Sequence, residues 1–339
     1  MKIAVLRALQ LGDMLCVVPA LRALHAEYPA ARITLIGLPW AREFAARFRR
    51  YLYDFIEFPG FPGLPERPCD RRALPRFFDE MKSRRYDIAL QMHGSGEIMN
   101  PLATFLGARH TAGLYRAGRF CPDPERFAQW RDDEHEVLRY LRLLSHMGVP
   151  SQGTALEFPL TDEDWSEWTG VGLERGTYAV LHAGSQLASR RWPAERFAQV
   201  GDALSKEGLQ VVLTGTKGER ELAARVRDAM RSPALDLTGL TSLGGLAALI
   251  ARARLVVAND TGVSHIAAAL KAPSVIIANG SDPRRWAPLD RQLHRVLWHP
   301  TDCRPCAHAA CPLPGHPCAA GISAERVIEE ASRLVACVA

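Results

Sequence analysis

Lys2-Ile3-Ala4-Val5-Leu6-Arg7, then residues 13–27, then Arg32-Ile33-Thr34-Leu35-Ile36-Gly37 form the opening that decides how this chain folds. The outer two runs are short and apolar, the pattern of buried strands. Between them Leu15, Val18, Leu21 and Leu24 recur at helical spacing. Strand, helix and strand with short joints make the βαβ unit of a parallel sheet. Strand patterns follow at 53–58, 86–92 and 111–114. The pattern weakens over 149–176, a polar, turn-rich stretch that reads as an inter-domain crossing. It restarts at 178–182, 210–214, 235–237, 255–258, 274–278 and 295–298, with helical patterns at 194–206, 219–230, 243–251 and 264–270 and a final helix at 323–335. The expected fold class is therefore α/β, with two Rossmann-like doubly wound domains at 1–160 and 161–339. The Pro- and Gly-rich segment 58–75 and the irregular segment 120–133 read as long surface loops, natural sites for acceptor binding or flexible decoration.

The totals agree with this organisation. A chain of 339 residues exceeds what one core usually supports. No apolar run is long enough to span a bilayer, and Ile3–Leu6 runs straight into Arg7 without a cleavage site, so a cytoplasmic protein is expected. Only five of the 42 basic residues are Lys. Guanidinium suits phosphate and carboxylate partners, but runs such as Arg47, Arg49 and Arg50 read as a solvated helix face, and no nucleic-acid partner is expected.

In open α/β sheets ligands bind beyond the carboxyl ends of the strands. Four segments there carry chemistry. In Leu11-Gly12-Asp13, Gly12 permits a sharp turn and Asp13 stands at a helix start, either as a cap or as a carboxylate placed to take a proton. Asn259-Asp260-Thr261-Gly262-Val263-Ser264-His265 opens an apolar helix. Capping needs one such polar residue, and four in a row favour a diphosphate site. His182-Ala183-Gly184-Ser185 leads into Ser189-Arg190-Arg191-Trp192-Pro193, where Ser185 can approach phosphate and Arg190 or Arg191 can neutralise a departing diphosphate. Glu219, after Thr214-Gly215-Thr216-Lys217-Gly218, lacks a P-loop context and is placed to accept from ribose hydroxyls. No Asp-x-Asp follows an apolar strand, since Asp162-Glu163-Asp164 lies in the polar crossing, where it reads as a helix start. Catalysis without a divalent metal is expected.

Cys303-x-x-Cys306-x₄-Cys311-x₆-Cys318 holds four of the eight cysteines. Four thiolates there could hold a structural zinc or iron ion, with His308 and His316 as further ligands. The alternative is a Cys-rich loop without metal.

These segments together resemble the family 9 glycosyltransferases, whose best-known members are the ADP-heptose:lipopolysaccharide heptosyltransferases. The resemblance rests on Gly12-Asp13 with Pro19 downstream, on the Ser-x-x-x-x-Arg-x-Trp-Pro stretch from Ser185 through Pro193, and on Asp260–His265. It implies the GT-B fold, two Rossmann-like domains facing across a cleft that holds the active site. It also implies Asp13 as catalytic base, with Thr261, Gly262 and His265 around the donor diphosphate and Asp260 beside them, where Thr261 and Ser264 add hydroxyl donors by their residue type. Glu219 falls near the donor ribose. Arg190 stands where better-known members have Lys, keeping the charge but not the compact ammonium. Where those members carry an acidic residue after the 86–92 strand, this chain reads Gln91-Met92-His93-Gly94. Gly12, His93 and Asn100 are the acceptor-side candidates. The activity implied is inverting transfer of a sugar, heptose from ADP-heptose being favoured, to a hydroxyl of a glycan or lipid-linked acceptor in lipopolysaccharide core or related synthesis, with peripheral contact at the inner face of the membrane. Two rivals remain open: a sugar-nucleotide epimerase of the same fold, which needs no acceptor, and a non-catalytic, metal-stapled polyanion-binding protein, which would bind in a strongly salt-dependent way.

Overall fold

Ile3, Ala4, Val5 and Leu6 are all fully buried, which marks their strand as one covered on both faces. It is the third strand of a parallel sheet in the computed structural model, which describes residues 1–337. The chain divides into two compact units, Met1–Ala155 and Leu156 onward, each with its own core. The expected boundary at 160/161 falls shortly after this division.

The first unit runs β1 (Lys2–Leu6), α1 (Leu11–Glu27), β2 (Arg32–Gly37), α2 (Ala41–Arg47), β3 (Asp54–Glu57), α3 (Ala73–Arg84), β4 (Ile88–Gln91), α4 (Met99–Phe105), β5 (His110–Tyr115), β6 (Phe127–Gln129) and α5 (Glu136–His146). Its sheet has the order β3-β2-β1-β4-β5-β6, with every pairing parallel. The chain first winds outward from β1, then returns to place β4 on the other side of it: Ile3 pairs with Ile33 on one edge and with Ile88 on the other.

The second unit runs α6 (Asp162–Val171), β7 (Tyr178–His182), α7 (Ala194–Lys206), β8 (Gln210–Leu213), α8 (Arg220–Ala229), β9 (Ala234–Asp236), α9 (Leu243–Arg252), β10 (Leu255–Asn259), α10 (Gly262–Ala269), β11 (Ser274–Ile277), α11 (Pro283–Trp286), β12 (His294–Leu297), α12 (Pro317–Ala320) and α13 (Ala324–Cys337). Its order, β12-β11-β10-β7-β8-β9, repeats the reversal at β7 and β10. Both units are thus doubly wound parallel sheets, as expected of the GT-B class. In each, the loops on either side of the reversal part at the carboxyl edge and open a ligand position.

Two expectations are corrected, and one is met. The segment 120–133 is not wholly irregular, because Phe127–Gln129 adds to the sheet edge as β6. The loop from 58 ends at α3, which starts at Ala73. The helix start expected at Asp162 within the polar crossing is that of α6, opened by a capping box: the Asp164 carboxylate accepts from the Thr161 N–H at 2.9 Å, and Asp164 N–H donates to Thr161 Oγ1 at 3.3 Å. Asp162, Glu163 and Asp164 therefore fill a helix first turn, where negative charge is favourable.

Candidate functional site

The first unit puts its chemistry where β1 and β4 end. Arg7 follows β1 and is fully buried. Its Nε and Nη2 donate to the main-chain oxygen of Asp13 at 3.0 and 2.7 Å, and its Nη1 donates to the Met92 carbonyl. Nη2 also lies 3.4 Å from Glu136 Oε1, and the guanidinium stacks 4.5 Å over the Tyr140 ring. Burial would weaken the hold of Arg7 on its proton. Tyr140, Glu136 and Asp13 outweigh it and hold the guanidinium firmly charged. Arg139, equally buried, donates to Glu136 and to the carbonyls of Arg131 and Glu134, and stacks over Trp130. This network was not legible beforehand, because Arg7 reads as the end of an apolar run and Glu136 and Arg139 break the apolar face of α5.

Asp13 itself is half-buried and sits in the first turn of α1. It is not the cap. That place belongs to Gln10, whose side chain makes no capping bond, because the helix begins earlier than its apolar spacing indicates. Gly12 accordingly lies inside the helix and makes no sharp turn. His93 is buried, and its Nδ1 accepts the Ala8 N–H at 3.2 Å. Nε2 then carries the proton and faces Glu66 Oε1 at 3.4 Å. Burial pushes the Glu66 carboxyl up, but the His93 bond holds it below its ordinary value. Glu66, unremarked in the sequence, thereby docks the 58–72 loop at the end of β4. Asn100 is fully buried and turned into the fold, its amide donating to Leu114 O at 3.0 Å and Phe120 O at 3.3 Å. It clasps α4 to β5 and the chain that follows, and its buried Oδ1 has no partner.

In the second unit β10 ends at Asn259, which is fully buried and ties the two loops of the reversal together. Its amide donates to Ala183 O at 2.7 Å, and its oxygen accepts from Trp192 N–H at 3.1 Å. Asp260 is nearly buried and its N–H still bonds Ile277 O of β11. Thr261 stands at the N-cap of α10 without a capping bond, and its buried Oγ1 has no partner. Gly262 is the first residue of the helix. Ser264 Oγ donates to Thr261 O at 2.7 Å, and buried His265 meets Trp286 edge-on. An uncapped helix start with an unfilled hydroxyl suits an anionic ligand.

The β7 and β8 loops meet beside it. Glu219, at the end of a 3-10 turn and the N-cap of α8, accepts from Thr216 N–H at 2.8 Å and Thr216 Oγ1 at 2.9 Å. A Cβ at Gly184 would overlap its carboxylate. His182 is buried with Nδ1 at 3.1 Å from Thr214 Oγ1. Burial pushes its pKa down, and the charge on Glu219 opposes this. Ser185 is buried and its carbonyl accepts from Arg191 Nε at 2.9 Å, while Arg190 keeps a buried Nε without a partner. Trp192 is core, its indole N–H bonded to Ile322 O.

The Cys-rich segment is held to this edge by hydrogen bonds. Ser189 N–H donates to Ala309 O, Ser189 Oγ to His308 O at 2.6 Å, and His316 Nε2 bonds Ser189 O at 2.8 Å. Arg304 donates to the carbonyls of Ala278, Ser281 and His299, and Cys306 N–H to Gly280 O. The thiols of Cys303, Cys306, Cys311 and Cys318 are free, and among the described residues no three His, Cys, Asp or Glu side chains are arranged to share an ion. Cys303 and Cys311 instead make weak bonds to Thr301 Oγ1 and Leu313 O. Main-chain bonding supports the order of the loop. No helix among the described residues is long and apolar enough to cross a membrane.

Compared with known proteins, residues 74–316 match the sequence model of Glycosyltransferase family 9 (heptosyltransferase). The chain is 27% identical to lipopolysaccharide heptosyltransferase 2 of Escherichia coli K12, over 99% of each chain. Its fold is similar to that of a family 9 glycosyl transferase from Veillonella parvula, with a TM-score of 0.80 and 23% identity over 99% of this chain and 97% of that one. It is also similar to the E. coli ADP-heptose lps heptosyltransferase II, with a TM-score of 0.77 and 23% identity over 100% and 99%.

Proposed function

The chain belongs to glycosyltransferase family 9 and is a glycosyltransferase; on that premise we propose that it transfers heptose from ADP-heptose, with inversion, to an acceptor hydroxyl in lipopolysaccharide core or a related glycan. The observation that carries the donor half is Thr261, a buried and unpartnered hydroxyl at the uncapped start of α10. The donor diphosphate lies against that start, where N–H groups and the helix dipole favour negative charge. Asp260, Gly262, Ser264, His265 and Ser185 surround it, and Glu219 accepts from the ribose hydroxyls.

Asp13 takes the proton of the acceptor hydroxyl as its oxygen bonds to the anomeric carbon. The bond from that carbon to the diphosphate breaks on the opposite face, and the electron pair leaves with the nucleotide. Arg190 and the α10 start take up the charge that develops. No step calls for a divalent cation. The acceptor is a glycan or lipid-linked glycan met on the cytoplasmic side, with the protein at most peripheral to the membrane.

The test is calorimetric titration of the purified chain with ADP, UDP and GDP, each with and without EDTA. It is followed by transfer from ADP-heptose to a deacylated core acceptor. Selective binding of ADP, indifferent to EDTA, is expected. Preference for another nucleotide would discard heptose, and absence of all binding would remove the donor site.

A further inference from the structure

A buried polar atom without a partner is costly, so each one in a folded chain needs a reason. Asn279 is 1% exposed, yet neither its Nδ2 nor its Oδ1 has a partner. Ser281, also 1% exposed, has an unpartnered Oγ. The two residues flank Gly280 on the turn that leaves β11. Gly280 is at φ +67°, a conformation that favours glycine, and a side chain there would collide with Cys306. The turn cannot easily relax to find other bonds, because Arg304 holds the carbonyls of Ala278 and Ser281 and Cys306 N–H holds that of Gly280.

Register places these atoms beside the donor helix. Asn259 of β10 pairs with Ile277 of β11, and Asp260 N–H still bonds Ile277 O. Asp260 and Thr261 therefore leave their strand alongside Ala278 and Asn279. Thr261 Oγ1 and Arg190 Nε are unpartnered as well. Segments following β7, β10 and β11 thus each contribute a buried, unfilled polar atom at one edge of the sheet. Such a convergence of buried polar atoms without partners suits a polar ligand.

The strand order decides which part of that ligand reaches β11. In the sequence β11-β10-β7-β8, Glu219 follows β8 and Thr261 follows β10. β11 lies on the far side of β10. A nucleotide sugar with its ribose at Glu219 and its diphosphate at Thr261 carries its transferred sugar onto the β11 side. An Asn amide presents two N–H donors and one acceptor oxygen, the complement of neighbouring sugar hydroxyls, and a Ser hydroxyl adds one bond more. We infer that Asn279 and Ser281 bind hydroxyls of the transferred sugar and set which sugar the donor site accepts. The inference rests on the donor-site reading above.

The experiment is titration of the full chain and its Asn279→Ala and Ser281→Ala variants with ADP and with ADP-heptose. Each variant is expected to bind ADP within about twofold of the parent. ADP-heptose should bind about tenfold more weakly to Asn279→Ala and several-fold more weakly to Ser281→Ala. Loss of ADP and ADP-heptose affinity in parallel would overturn the assignment, as would unchanged affinity for both. A parent chain that binds neither would overturn the donor-site reading itself and this inference with it. Should Asn279→Ala fail to fold, Ser281→Ala carries the same comparison.

Discussion

Arg7 spends three of its donors on the main-chain oxygens of Asp13 and Met92, so it supports the backbone from which the Asp13 carboxylate projects. The two residues should therefore fail differently. Asp13→Asn keeps the shape and removes the proton acceptor, so kcat should fall by about 10²–10⁴ with ADP affinity intact. Parallel losses in both would remove Asp13 from the chemistry. Arg7→Met leaves two carbonyls and Glu136 short of a donor in a dry interior. It should cost about 3–5 kcal/mol in denaturant unfolding, with activity falling only as the folded fraction falls. A third residue reports on acid. His294 is buried against Ser274, and burial pushes its pKa from 6.5 down to about 4. The unfolded chain then binds more protons than the folded one between those values. Stability is complete above pH 6.5 and is lost as pH falls toward 4, by up to about 1.4 kcal/mol per pH unit for this group. His182 is shifted in the same direction. Replacing His294 with Gln should flatten the decline between pH 6.5 and 5; an unchanged slope would mean that His294 does not titrate there.

At the scale of elements, the exits of β7 and β8 are pressed together at Gly184 and Glu219. Because a Cβ at 184 would meet the movable end of a side chain rather than backbone, Gly184→Ala should displace the Glu219 carboxylate and leave the fold standing. Nucleotide affinity should drop about tenfold with little change in unfolding midpoint, whereas a large stability loss would place the conflict in the backbone. The βαβ alternation was legible because both sheets are buried on two faces, so most of their strands stand out as unbroken apolar runs such as Ile3–Leu6 and Val256–Ala258. β6 escaped notice as three residues among Pro, Asp and Arg, and α5 because Glu136 and Arg139 lie on its buried face. Of the candidate site, Asp13 and Asp260–His265 were visible as polar residues just past apolar strands. Arg7, Glu66 and Asn279 were not. Glu66 depends on His93, 27 positions away, Arg7 depends in part on Met92, 85 positions away, and Asn279 is marked by polar atoms without partners.

Across the whole molecule, the arginine bias that invites a polyanion reading has a structural use. Arg22 donates to the carbonyls of Gln152, Gly153 and Ala155, Arg196 to those of Ala319, Ala320 and Ile322, and Arg254 to Val335 O. These forks tie down irregular chain and the ends of elements, a task suited to a planar group with several fixed donors. Each unit also closes its own sheet and core. A fragment starting at Leu156 should therefore fold and bind ADP within a few-fold of the intact chain while transferring no sugar. Loss of ADP binding in a folded fragment would require a contribution from the first 155 residues. The position of β1 at the centre of its sheet has one more consequence, which belongs to the making of the protein. With Ile33 as its first neighbour, Ile3 cannot gain its second until Ile88 has been synthesised, and at about 5–20 residues per second that interval lasts roughly 3–11 s. During that interval the most apolar strand of the unit is half-covered, so a nascent-chain holdase should be needed early in translation and released soon after β4 leaves the ribosome.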